Sequence, residues 1–256
     1  MLIALDVGNS HVKAGGFDGD DLKFVASIAT DDRKTGEQYA FELKNVFSLF
    51  GVDSAQIDGI VQCSVVPSMP PILSRALSLL TNCPVLHVSS GVRTGLNIKI
   101  DQPRGLGSDL VANAVWAMHV GKTPCVVVDV GTVTTFTAID RTGVLVGTSI
   151  AAGPRIMLDA IKHSAAQLPS VQLEAPVHGV TGRNTAEAIK AGVVYGTAAM
   201  IDGMLERYGE ALGQPPFVLL TGGSAQQIAP YLRTPAELDT YVTLRGLQLI
   251  WRRNRG

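Results

Sequence analysis

Apolar residues arrive along this chain in short runs that alternate with amphipathic stretches, the rhythm of an α/β protein. Leu2 to Asp6 is an apolar run closed by an acid and followed by Gly8. Residues 11–17 and 22–30 read as two further strands, joined through the turn signal Asp18-Gly19-Asp20-Asp21. Residues 37–50 place Phe41, Val46, Leu49 and Phe50 at helical spacing. A strand over 57–66, a helix over 72–80 behind Pro67-Ser68-Met69-Pro70, and a short strand over 85–88 are predicted next. Residues 91–107 read as loop, and a helix is predicted over 109–119 with Ser108 or Asp109 as its N-cap.

The pattern then restarts. Cys125-Val126-Val127-Val128-Asp129 is again an apolar run closed by an acid, followed by Gly131-Thr132. Strands over 136–140 and 144–150 flank the turn Arg141-Thr142-Gly143. Helices over 155–167 and 185–208, a buried strand over 217–221 and a final helix over 244–253 complete the reading. Strand–Asp-x-Gly–strand therefore occurs twice, each time opening a three-strand meander followed by helices. A duplicated domain is expected, with a boundary near 118–122 and domains of residues 1–119 and 120–256.

Composition narrows the function. Of 256 residues 46% are hydrophobic and 17% charged, enough to build a core and too apolar for disorder. A net charge of −1 leaves no electrostatic footprint for nucleic acid, and the basic tail Arg252, Arg253, Arg255 reads as a solvated helix end. No apolar run is read as long enough to cross a bilayer. The N-terminus enters a strand at once, without the basic and apolar regions of a signal peptide, so no membrane partner and a cytoplasmic location are expected. Cys63, Cys83 and Cys125 stand far apart outside any CxxC pair and read as buried small hydrophobes, and the histidines lack zinc-ligand spacing.

The chemistry sits in the repeated motif. Asp6-Val7-Gly8-Asn9-Ser10-His11-Val12-Lys13 and Asp129-Val130-Gly131-Thr132 each put a carboxylate at the end of a strand. The glycine two residues on is expected to allow a tight turn and a close backbone approach to phosphate. Successive N–H groups with Asn, Ser or Thr side chains then cradle phosphate oxygens, and the carboxylate holds a cation beside them. A single Asp-x-Gly is no more than a turn; two at equivalent places favour phosphate. Thr221-Gly222-Gly223 after an apolar strand suits a nucleotide lying against backbone, though alone it reads as an ordinary strand-to-helix turn. Walker A spacing, a GxGxxG after a strand and a Gly-x-Ser-x-Gly elbow are all absent, which disfavours P-loop, dinucleotide and esterase readings.

With these motifs in order, the chain resembles the type III pantothenate kinases over nearly its whole length. Further matching pieces are Thr94-Gly95-Leu96, Asp101-Gln102-Pro103, Gly107-Ser108-Asp109 with Asn113-Ala114, Gly182-Arg183-Asn184-Thr185-Ala186-Glu187-Ala188-Ile189, Gly192-Val193-Val194-Tyr195-Gly196 and Leu244-Arg245-Gly246-Leu247. The resemblance implies an α/β fold of two duplicated actin-like, ribonuclease H-like domains with a nucleotide cleft between them, assembled as a homodimer. It implies ATP-dependent phosphorylation of pantothenate to 4′-phosphopantothenate, the first step of coenzyme A biosynthesis, with Mg²⁺ and a monovalent cation, K⁺ or NH₄⁺. On that resemblance Asp6 to Lys13 form the first phosphate loop, with Asp6 serving Mg²⁺ through the phosphates. Asp109 is the catalytic base, Asp129 binds the monovalent cation and Thr132 touches ATP. Ile100, Gly107, Ser108, Leu110 and Thr185 line the pantothenate site, Thr185 from across the dimer interface.

Three positions depart from the family pattern. Leu110 stands where an arginine usually follows the aspartate, Ile100 replaces a tyrosine, and Gly147-Thr148-Ser149-Ile150-Ala151-Ala152-Gly153 lacks one glycine and a proline. The missing arginine removes a charge-assisted contact to a substrate carboxylate, worth about 1.5–3 kcal/mol. Arg104 is the nearest candidate replacement. The readings carried forward are pantothenate kinase, a kinase of the same fold for another small hydroxylated substrate, and a catalytically impaired nucleotide-binding regulator.

Overall fold

The computed structural model describes residues 1–164 and 168–255. Two compact units emerge. The first comprises Met1–Gly95, Gln102–Trp116 and Thr243–Gly256, and the second Leu96–Asp101 and Ala117–Val242.

The first unit opens with the strands β1 (Leu2–Val7), β2 (His11–Asp18) and β3 (Asp21–Ala29), a meander. The helix α1 (Gly36–Leu49) begins at a capping box, in which Thr35 and Gln38 satisfy each other's backbone N–H. The strand β4 (Gly59–Ser64), the helix α2 (Met69–Leu80) and the strand β5 (Val85–His87) follow. The sheet order is β3-β2-β1-β4-β5, with β1 antiparallel to β2 and parallel to β4. Strand alternation sends Ile3, Leu5 and Val7 to one face. There Ile3 and Leu5 pack with Leu43, Phe47 and Leu77, and Val7 with Tyr39 and Leu73, beneath the two helices. Asp6 points the other way.

The segment expected to be loop holds a two-residue strand β6 (Asn97–Ile98), part of the second unit's sheet, and a 3-10 turn, Pro103–Gly105. The helix α3 (Ser108–Val120) starts earlier than predicted. The N-cap expectation needs correction. Val111 donates to the Gly107 carbonyl at 3.1 Å, so the helix is entered at Gly107, and the Ser108 hydroxyl is engaged elsewhere.

The second unit repeats the plan. The meander β7 (Cys125–Val130), β8 (Val133–Ile139), β9 (Val144–Ala152) is followed by the helices α4 (Pro154–Ser164) and α5 (Thr185–Leu212) and the strand β10 (Phe217–Thr221). A one-turn helix α6 (Ala225–Ile228), a short strand β11 (Glu237–Leu238) and the helix α7 (Val242–Asn254) close the chain. The sheet order is β11-β10-β7-β8-β9-β6. Strands β11 to β9 reproduce the first sheet read in reverse, with β7 antiparallel to β8 and parallel to β10. This is the duplicated α/β architecture the repeated motif predicts. The last three residues of the helix expected over 155–167 lie outside the described residues.

Val194, Ala198, Ile201 and Leu205 of α5 recur every three or four positions and pack on Val126, Val128 and Phe136 of the sheet. At 28 residues α5 meets the length and composition of a membrane span, which corrects the reading that no segment does. Its apolar face is used in this core. The tail arginines are not simply solvated. Arg252 pairs with Asp20, Arg253 donates to the Thr94 carbonyl, and Asn254 donates to the Arg93 carbonyl at 2.9 Å.

Candidate active site

In the first unit the Asp6 carboxylate stands at the end of β1, flanked in register by Lys13 on β2 and Cys63 on β4. All three side chains share the sheet face opposite α1 and α2. Cys63 donates its thiol hydrogen to Asp6 Oδ1 at 3.5 Å. Cys63 is buried, as expected from the sequence, and in addition its thiol has a polar partner. Burial first, then the charges of Asp6 and Asp109, push its thiol pKa well up, so it remains a neutral donor between two carboxylates.

The loop after Asp6 is held from behind. Gly8 N–H donates to the His11 carbonyl at 3.0 Å, and Thr30 at the end of β3 donates its hydroxyl to the Gly8 carbonyl at 2.7 Å. Asn9, Ser10 and His11 are exposed on this loop. Val7 and Val12 turn their side chains into the core, leaving only backbone for a ligand. Gly8 sits in the tight turn that its N–H closes on His11, its φ is not positive, and an added Cβ would meet nothing closer than 3.4 Å. What the residue provides is bare backbone beside the carboxylate.

Asp109 occupies the first turn of α3, and its neighbours position it. The Ser108 hydroxyl accepts from Ser64 N–H at 3.2 Å and donates to the Ser64 carbonyl at 3.1 Å, tying the helix start to the end of β4. Gly107 has no side chain because one would lie 2.4 Å from Asp109 Oδ1. That oxygen is buried and has no hydrogen-bond partner. Burial raises the Asp109 pKa above 3.8, against the pull of the backbone N–H groups of Leu110 and of Asp109 itself. A desolvated carboxylate with one unbonded oxygen is a good proton acceptor. Leu110 is 5% exposed and faces the core.

In the second unit, Asp129 and Thr132 sit on the β7–β8 hairpin, the counterpart of the first. Gly131 N–H donates to the Val133 carbonyl at 3.0 Å, as Gly8 does in the other copy. Two glycines here are required by contact. Gly153 donates to the Thr132 carbonyl at 3.2 Å, and its Cβ would lie 2.3 Å from the Gly131 carbonyl oxygen. Gly222, at φ +106°, packs so that a Cβ would lie 2.5 Å from Asp129 Oδ1. The Thr221-Gly222-Gly223 turn therefore frames the Asp129 carboxylate, a role its sequence alone did not favour.

Ile100 is half-buried, and Thr185 is exposed at the first residue of α5. Asn184 caps that helix by accepting from Glu187 N–H at 2.9 Å, and Glu187 Oε2 accepts from Val177 N–H at 2.7 Å. The surrounding motif thus holds Thr185 in place. Cys63, Ser64 and Thr30 are the neighbours that sequence reasoning missed, and the contact of Gly222 with Asp129 is likewise invisible in spacing. Their signal is strand register, which spacing along the chain does not carry.

The donor sets suit hard cations. Asp6 and Asp129 offer carboxylate oxygens beside bare glycine backbone, and an unbonded, buried hydroxyl oxygen, Thr135 Oγ1, lies next to Asp129 in register. Among the described residues no cluster of three His, Cys, Asp or Glu side chains forms a protein-only metal centre. Mg²⁺ shared with substrate phosphates needs none.

A family model described as type III pantothenate kinase matches residues 2–207. The type III pantothenate kinase of Brevibacillus brevis is 36% identical over 255 residues, covering all of both chains. The activator of 2-hydroxyisocaproyl-CoA dehydratase from Clostridium difficile, solved with ADPNP, superposes with a TM-score of 0.57 at 14% identity, covering 97% of this chain and 92% of that one. MreB 5 of Spiroplasma citri, solved with AMPPNP, gives 0.55 at 12% identity, covering 98% and 96%. Those two likenesses are likenesses of fold.

Proposed function

The chain belongs to the type III pantothenate kinase family and has its actin-like ATPase fold, and from that premise we propose that it transfers the γ-phosphoryl group of ATP to the primary hydroxyl of pantothenate. The products are 4′-phosphopantothenate and ADP, and the reaction opens coenzyme A biosynthesis. The observation that carries this reading is Asp109, a buried carboxylate with an unbonded oxygen and a raised pKa, tied through Ser108 to the strand beside Asp6.

Asp109 Oδ1 accepts the hydroxyl proton as the substrate oxygen attacks the γ-phosphorus, and ADP leaves in line. The loop from Asp6 to Lys13 binds phosphate through its backbone N–H groups and the Lys13 ammonium, and Thr132 binds ATP from its own hairpin. Mg²⁺ beside Asp6 and a monovalent cation beside Asp129 supply charge neutralisation when bound. Cys63 fixes the orientation of the Asp6 carboxylate. Gly107, Ser108, Ile100 and Thr185 serve the acceptor. Leu110, being buried and apolar, offers no donor, so we assign the substrate carboxylate to Arg104, an exposed guanidinium in the 3-10 turn ahead of α3. We further infer a cytoplasmic homodimer with small-molecule partners only. The family resemblance and the near-neutral charge support this.

The test is ADP release with ATP, Mg²⁺ and K⁺, with and without pantothenate, alongside Asp109→Asn. Pantothenate-dependent ADP that disappears in the variant is expected. ATP binding without stimulation by pantothenate would sink the reading in favour of another hydroxylated acceptor or a regulatory protein.

A further inference from the structure

The helix that carries Asp109 is pinned at a second point. One turn further along α3, Asn113 Oδ1 accepts from the Thr243 hydroxyl of α7 at 2.8 Å. Both residues are buried, they stand 130 positions apart, and both belong to the first unit.

The rest of this helix pair is apolar and closely packed. Ala112 and Val115 of α3 and Leu244 and Leu247 of α7 are buried. An added Cβ at Gly246 would collide with the Ala112 carbonyl oxygen, and the Arg245 guanidinium lies 5.2 Å from the ring of Trp116. Small side chains interlock little, so such packing holds two helices together without fixing their register. A hydrogen bond between buried groups is directional, and sliding the helices leaves its donor and acceptor unpaired. A buried polar pair in an apolar interface therefore adds little net stability over an apolar one, while it selects a single register.

Register is what Asp109 needs. Asp109 and Asn113 are four residues apart, so they share one face of α3. The bonds between Ser108 and Ser64 anchor the start of the helix. A single anchor leaves the helix free to pivot about it, and the Thr243 bond one turn on removes that freedom. A displacement of about 1 Å in a reacting group costs on the order of 10²-fold in rate.

We propose that the hydrogen bond from Thr243 to Asn113 sets the register of α3 and thereby places the Asp109 carboxylate for proton transfer. Thr243 and Asn113 act through the helix, as positioning residues. The proposal rests on the reading of Asp109 as the base that takes the substrate's hydroxyl proton.

The experiment is ADP release by the full chain with ATP, Mg²⁺, K⁺ and pantothenate, at a temperature where denaturant melts show every variant folded. Thr243→Val deletes the donor and keeps the shape. Its kcat is expected to fall roughly tenfold or more while the KM for ATP holds. Thr243→Ser returns the hydroxyl and restores kcat. Ile250→Val trims a buried methyl group from the same helix, lowering stability without touching the bond, and is expected to keep the wild-type kcat. Thr243→Ala carries the test if the valine variant does not fold. A wild-type kcat in Thr243→Val overturns the proposal. An equal fall in Thr243→Val and Ile250→Val overturns it too, since the bond would then serve stability alone. Either result leaves the reading of Asp109 standing if Asp109→Asn abolishes turnover. Full turnover in Asp109→Asn, or none in the wild type, overturns both.

Discussion

The thiol of Cys63 donates to Asp6 Oδ1 across the parallel pair β1 and β4, at 3.5 Å. This bond links a residue of no evident chemistry to the carboxylate at the head of the first phosphate motif. Cys63→Ala deletes the donor and frees the carboxylate to rotate. A weak donor is lost, so the expected rise in KM for MgATP is modest, roughly three- to tenfold. Cys63→Ser restores a hydroxyl donor and is expected to recover most of it. Equal defects in both variants would mean that Cys63 matters only for packing.

Asp109 predicts opposite effects on activity and stability. Asp109→Asn removes the proton acceptor, and kcat is expected to fall roughly 10²- to 10⁴-fold. Because burial raises its folded pKa above 3.8, the fold favours the protonated form. Above that raised pKa the ionised group carries its full cost. As pH falls through it towards 3.8, the cost disappears. Asp109→Asn is therefore expected to melt higher than wild type at neutral pH, by on the order of 1 kcal/mol, with the gain shrinking on acidification. The wild-type rate falls over the same interval, since the base must be ionised. A variant no more stable than wild type at pH 7 would contradict this account of the buried carboxylate.

The duplication was legible because it is written as a period: an apolar run, an acid and a glycine two residues on, at Asp6 and again at Asp129. Strand alternation likewise separates Val7 and Val12 from Asp6 and Lys13. What spacing did not reveal is contact between distant segments. Cys63 meets Asp6, Gly222 meets Asp129 and Ser108 meets Ser64 through pairings that link residues tens of positions apart. Short elements were missed for a related reason. The strands at Asn97–Ile98 and Glu237–Leu238 have two residues each, too few for any periodicity, and exist because a neighbouring strand pairs with them.

Gly222 and Gly223 are adjacent yet are expected to differ sharply on mutation. A methyl group on Gly222 collides with Asp129 Oδ1 and the Val130 backbone, and φ +106° strains any L-residue there. Gly223 has nothing within 4 Å of the same added atom. Gly222→Ala is expected to lose about 2 kcal/mol or more of stability together with nucleotide affinity. Gly223→Ala folds with a stability within about 1 kcal/mol of wild type, so that any effect appears in the KM for ATP alone. Denaturant midpoints for the two variants, read beside ATP titrations, check both statements. Equal stability losses would mean that Gly222 is not uniquely constrained.

Arg104 and Leu110 test how the acceptor is recognised. Leu110 lies in the core at 5% exposure, where an arginine would have to leave its burial to reach a ligand. Arg104 is exposed in the turn Pro103–Gly105, on the chain segment that leads into Asp109. A guanidinium grips a carboxylate through two parallel N–H bonds, and losing such a contact costs about 1.5–3 kcal/mol, roughly ten- to a hundredfold in affinity. Arg104→Ala is therefore expected to raise the KM for pantothenate by that factor while the KM for ATP holds. Pantothenol, which has a hydroxyl in place of the carboxylate, separates the charge effect from disruption of the turn. If Arg104 binds the carboxylate, the variant loses its preference for pantothenate over pantothenol and uses pantothenol as well as the wild type does. Unchanged discrimination in Arg104→Ala would show that another group reads the carboxylate.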